Sequence, residues 1–277
     1  MAATVVALTV SAVGAQLGQA TATAAADTTP PTVKLDPWAH YRVGSQILTD
    51  YDYGYFQGGF FLKWATSDPS GICRQRVAWQ GYESIGGPVD PVLGPNTVKY
   101  PVDAGARRYD FDTNSENWMR IPDRFVVRSR DCAGNKGVSG IARAGFGTRE
   151  DDSAGIRYRG AWSTSKFAGF SGGTTHRSTT AGSAFTATFD GADGPIGLVM
   201  EKAPNRGKAA VYVDGVLRKT VNTHSATTRH RMIVWQGLFK SGPHTLRVVN
   251  KATAGHPRID LDTLLTCSGH HVDFGCW

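Results

Sequence analysis

Short stretches in which apolar and polar residues alternate recur through most of the chain, separated by Gly, Pro, Asp and Asn. A period of two marks strands with one face in a core and the other in water. The second half shows it most clearly. Phe185, Ala187 and Phe189 alternate with Thr186 and Thr188, Leu246 and Val248 with Thr245 and Arg247, and Ile259 and Leu261 with Asp260 and Asp262. Val211 and Val213 lead into Asp214-Gly215 and then Val216, a tight hairpin signal because both turn residues tolerate positive φ. With residues 196–200 and 232–235, at least six strands are expected here, and Trp235, alternating with Ile233, reads as core. No window carries the period of an amphipathic helix, so the expected fold class is all-β, built as sandwiches.

The length of 277 residues suggests two domains. Residues 144–155 are polar and glycine-rich without apolar periodicity, which places a boundary between a segment 27–148 and a segment 149–277. Residues 1–26 contain no charge. An apolar run over 3–13 is followed by Ala24-Ala25-Ala26, the pattern of a secretory signal. Ser11, Gln16 and Gln19 interrupt the run, so a transmembrane anchor is not expected and the chain is read as secreted. With 40% hydrophobic and 19% charged residues, the composition excludes collagen, coiled coil, polytopic membrane protein and simple disorder.

Four cysteines allow three pairings. Position favours Cys73 with Cys132 and Cys267 with Cys276, one bridge in each segment, and export favours oxidation. The tail also holds Cys267, His270, His271, Asp273 and Cys276, which are zinc-type ligands, but their spacing fits no common finger.

Three turn-rich motifs mark the first segment: Asp27-Thr-Thr-Pro-Pro31, Ser67-Asp-Pro-Ser-Gly-Ile72 and Asp131-Cys-Ala-Gly-Asn135. On these it resembles bacterial immunoglobulin-like or fibronectin-III-like modules of cell-surface proteins. The second segment is similar to the galactose-binding-like jelly-roll modules attached to secreted carbohydrate-active enzymes of actinobacteria. That resemblance rests on Ile156-Arg-Tyr-Arg-Gly-Ala-Trp162, Ser171-Gly-Gly-Thr-Thr-His-Arg-Ser178, Arg206-Gly-Lys-Ala-Ala-Val-Tyr-Val-Asp-Gly215, Leu238-Phe-Lys-Ser-Gly-Pro-His-Thr-Leu246 and Ile259-Asp-Leu-Asp262. It implies an immunoglobulin-like sandwich followed by a jelly roll. It also implies the site of a structural calcium, for which Asp151 or Asp152 with Asp262 are the candidates. No other cofactor is expected.

Candidate chemistry is sparse. Gly169-Phe-Ser-Gly-Gly173 matches Gly-x-Ser-x-Gly, but a nucleophile elbow needs a strand before Ser171 and a helix after it, and the β-branched stretch that follows argues for a loop. Asp260 and Asp262 have a separation compatible with paired acids, yet their alternation reads as an exposed strand face. Net charge is +7, and it is uneven: +1 over residues 27–148, from 14 basic and 13 acidic residues, and +6 over residues 149–277, from 16 basic and 10 acidic. Polyanion attraction is therefore sought in the second segment, while specific nucleic-acid recognition is not expected. Trp162, Phe170 and His176 border glycine-rich loops, with Arg177 beside them, and Phe167 is a further available ring. Aromatic faces that stack on sugars, with Arg, His and Asp to bind hydroxyls, suggest a non-catalytic protein recognising carbohydrate or a cell-surface or cell-wall polymer. A structural or adhesion spacer contacting a protein through the Tyr/Asp-rich residues 50–56, and a serine hydrolase using Ser171, are the alternatives.

Overall fold

The computed structural model describes residues 26–50, 55–57, 60–80, 92–93, 97–111, 123–144 and 147–266. The expected signal segment, Cys267, Cys276 and the tail's zinc-type ligands lie outside them. Among the described residues there is no α-helix, only strands and two single-turn 3-10 segments, as the period-two pattern predicts. The first eleven strands are β1 (Thr32–Leu35), β2 (His40–Tyr41), β3 (Leu48–Asp50), β4 (Tyr55–Gln57), β5 (Phe60–Ser67), β6 (Ile72–Gln80), β7 (Thr97–Val102), β8 (Arg108–Phe111), β9 (Asp123–Asp131), β10 (Lys136–Val138) and β11 (Ala142–Ala144). Twelve more follow: β12 (Gly147–Glu150), β13 (Ile156–Arg159), β14 (Ser163–Lys166), β15 (Thr174–Ser178), β16 (Ala184–Asp190), β17 (Ile196–Lys202), β18 (Lys208–Val213), β19 (Val216–Asn222), β20 (Arg229–Gly237), β21 (Pro243–Asn250), β22 (Ile259–Leu261) and β23 (Thr263–Thr266).

In the first half, a sheet ordered β1-β5-β2, with β8 also on β5, faces a sheet ordered β10-β9-β6-β7, with β11 also on β9. Phe60, Leu62 and Trp64 from β5 meet Val77 from β6 and Phe125 and Val127 from β9 in the core. Gln75 is buried in that core and satisfied: its Oε1 accepts from Trp64 Nε1 at 2.9 Å, and its amide donates to the carbonyls of Asp103 and Ala106. Cys73 and Cys132 are bonded, tying the start of β6 to the end of β9 as expected.

The three turn motifs converge at one end of this sandwich. Asp131 accepts hydrogen bonds from the backbone N–H groups of Gly134 (2.6 Å) and Asn135 (2.7 Å), and Asn135 Nδ2 reaches the carbonyl of Asp27. Asp27, Asp68 and Asp131 each offer a carboxylate oxygen within 4.8 Å of the other two. Gly137 lets the Pro30-Pro31 segment lie against β10, since a Cβ there would stand 2.0 Å from the Pro31 carbonyl oxygen.

In the second half, the sheet β13-β16-β21-β18-β19 packs on β12-β23-β17-β20, and a small third sheet, β14-β15-β22, closes one side. Phe185, Leu246, Val248, Leu198, Met200, Met232 and Trp235 fill the space between. Asp214 and Gly215 both take positive φ (53° and 77°) in the β18–β19 hairpin, as the sequence predicts. β12 runs across residues 148 and 149 and pairs with β23. One expectation is overturned: Asp260 and Asp262 are not on an exposed face but fully buried. Asp260 in β22 is covered by the turn after β17, accepting from the Glu201 N–H and from Arg206, and Asp262, just past the strand, is covered by the turn at Ser171.

The halves are stitched together. Ser45 accepts from the N–H of Ile233 at 2.9 Å, while Gly44 and Ile47 donate to the carbonyls of Ile233 and Arg231, each at 2.8 Å, so residues 44–47 run along β20. Tyr41 and Ile47 pack with Val199, Ile233 and Leu265 in one buried cluster.

Candidate functional site

A solvent-open cleft of about 570 Å³ lies on the second sandwich, between β14 with its following loop, the turn after β17, and β20. Its floor is charged and its wall aromatic. Arg206, only 3% exposed, donates from Nε to Asp260 Oδ2 at 2.6 Å and from a terminal nitrogen to Glu201. Asp260 also accepts from the Glu201 N–H at 2.8 Å. Burial pushes the Asp260 carboxyl up, and Arg206 opposes that shift. Glu201 Oε2 lies 2.8 Å from His230 Nδ1. At the rim, burial and the neighbouring Arg206 guanidinium lower the Arg258 pKa, and its Nε, 3.9 Å from Asp260, has no hydrogen-bond partner.

The wall is formed by Phe167, which is 52% exposed, standing over Phe170 (ring centroids 5.5 Å apart) and His230 (4.9 Å). Arg231 holds this loop in place. Its Nε donates to the Gly169 carbonyl at 2.9 Å, and Nη2 reaches the carbonyls of Ala168 and Phe170. Arg231 has φ 52°, a conformation that costs free energy in a non-glycine residue and coincides with the irregular β17–β20 register.

The anticipated residues are split by strand geometry. Successive side chains on a strand point to opposite faces, so His176 and Arg177 cannot share a site. Arg177 pairs in register with Asp260 and its charge acts on Arg258, on the cleft side. His176 faces the other way, with Nδ1 2.6 Å from Asp151 Oδ2 and its ring stacked on Tyr158 at 4.4 Å. Trp162 is with it, packed on Tyr158 and Phe185. Phe170 belongs to the cleft, but as the buried support of Phe167. Sequence reasoning passed over Glu201, Arg206, His230 and Arg258. Arg206 and Glu201 flank a Lys-Ala-Pro-Asn stretch, and an acid ending the apolar run 196–200 was the one available signal.

Ser171 is 2% exposed, and its hydroxyl donates to Glu150 Oε1 at 2.9 Å. It sits on a 3-10 turn leading into a strand, not on a strand-to-helix elbow, while His176 is engaged by Asp151. The anticipated calcium pair does not assemble: Asp152 is exposed, whereas Asp262 is buried and accepts the Ser171 N–H at 2.7 Å. Asp151 faces inward to His176 and to Thr174, whose hydroxyl donates to it at 2.6 Å. Burial pushes the Asp262 carboxyl up to about 8, and its Oδ2 has no hydrogen-bond partner. Among the described residues, no helix is long and apolar enough to cross a membrane.

No family model and no curated protein matches the chain. Among solved structures it is similar to a family 35 carbohydrate-binding module from Clostridium thermocellum, at 14% identity over 43% of this chain and 98% of that one, with a TM-score of 0.35. It is also similar to CBM35 from Cellvibrio japonicus Abf62, at 17% identity over 45% and 94%, with a TM-score of 0.34. The Agl-KA catalytic domain matches at 16% identity and a TM-score of 0.33, over 44% of this chain, which spans only 27% of that domain. Likenesses this distant bear on neither ligand nor reaction.

Proposed function

We propose that the chain is a secreted, non-catalytic carbohydrate-binding protein, with an immunoglobulin-like sandwich followed by a jelly roll that takes a sugar chain in the Phe167 cleft. The observation that carries this reading is a half-exposed aromatic ring, held from behind, beside a floor of charges already paired with one another. A pyranose presents an apolar C–H face that suits Phe167, and hydroxyls that suit Arg258 and Asn205 at the rim. Because Arg206, Glu201 and Asp260 are satisfied within the protein, the floor is oriented before a ligand arrives, which lowers the cost of ordering it. The buried, carboxylate-bonded Ser171 gives no support to the hydrolase alternative.

The test is calorimetric titration of the purified chain with soluble xylan, mixed-linkage β-glucan and galactan. At least one is expected to bind, and Phe167→Ala is expected to weaken that binding about ten-fold, the loss of roughly one ring contact. Binding to none of the three, or an unchanged affinity in the variant, overturns the reading. Release of reducing ends from any of them removes the non-catalytic part.

A further inference from the structure

We infer a second ligand site, on the outer face of the first sandwich, for a densely charged sulfated polysaccharide. Side chains alternate along β6 and β9: Gln75, Val77, Phe125, Val127 and Ser129 are buried, which sends Arg74, Arg76, Arg128 and Arg130 outward. The strand register then sets like charges opposite each other, Arg76 facing Arg128 and Arg74 facing Arg130. On the far side of β9, Lys136 faces Arg130 in turn. Two rungs result, one of three cations and one of two, spaced about 5 Å across strands and about 7 Å along them. They line a groove of about 320 Å³.

Like charges directly opposite on a sheet are destabilising. No carboxylate of the described residues pairs with Arg74, Arg76, Arg130 or Lys136. The outward positions of β6, β7, β9 and β10 hold no acid at all. In the adjoining hollow the Asp131 carboxylate accepts from Gly134 and Asn135, and Arg130 Nε donates to the Gly134 carbonyl at 3.1 Å. One end of the ladder is pinned by the Cys73–Cys132 bond, and beyond its other end Val92 and Leu93 cover Ala78 and Val126. Arg74, Arg76, Arg130 and Lys136 are thus held on a braced surface at a cost that a bound polyanion would remove.

The composition of the groove narrows the ligand. Four of its five cations are arginine, whose planar fork makes paired hydrogen bonds to oxyanions. No aromatic side chain lines it, so nothing is offered for nucleobases to stack on. A two-dimensional array suits a chain carrying anions on both edges, such as a glycan with more than one sulfate per repeat, better than one with a single carboxylate per sugar.

The experiment measures binding of the full chain to heparin at low and physiological salt, with fully desulfated heparin, polygalacturonate and an oligothymidylate in parallel. Heparin is expected to bind most tightly, with affinity falling steeply as salt rises. The double variant Arg76→Gln/Arg128→Gln is expected to lose at least ten-fold. A second readout separates a ligand site from structural arginines. At low salt, Arg76→Gln is expected to raise the Tm of the free protein, while heparin raises the Tm of the wild type more than that of the variant. Failure of heparin to bind, equal or tighter binding of polygalacturonate or the oligonucleotide, or a lower Tm for Arg76→Gln overturns the proposal.

Discussion

The two halves handle charge in opposite ways. In the second, Arg206 is almost wholly buried, and each carboxylate it touches has a further partner. In the first, Arg74, Arg76 and Arg130 stand exposed on the outer face of a sheet with cations opposite. Buried charges must be paired at home because water is not there to solvate them. Exposed charges tolerate repulsion because water screens it. The comparison shows that net charge is a poor guide to where a charged surface lies. The half with a net charge of only +1 carries the cationic face, because strand register gathers Arg74, Arg76, Arg128 and Arg130 on one side of one sheet. The half with +6 has several of its basic residues committed internally.

Removing one buried partner should break the contrast most severely. Arg206→Ala takes from the buried Asp260 and Glu201 the guanidinium they share, and should cost about 3–5 kcal/mol in denaturant unfolding. A loss under about 1 kcal/mol would mean that the floor is not the paired network described. The bond beside the ladder comes next. Cys73→Ser with Cys132→Ser should cost about 4 kcal/mol by chain entropy for its 59-residue separation, read by the same method under non-reducing conditions.

Asp262 makes the stability of the second half depend on pH. Its folded pKa is raised to about 8, well above the unfolded value near 4, so the folded state holds the proton more tightly. Its contribution is complete below about pH 4 and is lost as the pH rises through 8. Asp262→Asn should flatten that fall in stability, seen as Tm against pH. Least in size is Arg76→Gln, which should gain about 0.2–1 kcal/mol at low salt and almost nothing at high salt. The sign matters more than the amount: a loss would place Arg76 with the paired charges of the other half.

Much of the fold was legible because strand alternation reports one covered face and one wet one. Phe185, Ala187, Phe189 and the Asp214-Gly215 hairpin fall where the pattern puts them. The same rule failed on β22, because a strand covered on both faces can still alternate when its polar side finds buried partners. Asp260 and Arg206 are 54 residues apart, and nothing local announces that they meet. The cleft was legible only in part for the same reason. Phe167 was recognisable as an available ring, but the separation of His176 from Arg177 needs the strand assignment, and Glu201, His230 and Arg258 converge from three distant segments. The arginine ladder depends on register: Arg74 and Arg76 read as scattered cations until β9 is laid beside them.

Residues 44–47 run along β20 through backbone hydrogen bonds instead of hanging from a flexible tether. The distance between a surface on one half and a surface on the other is therefore built in, like marks on a ruler. Two ligands held one by each half would stand at a set separation, so a molecule carrying both would gain avidity only if its own two parts matched that spacing.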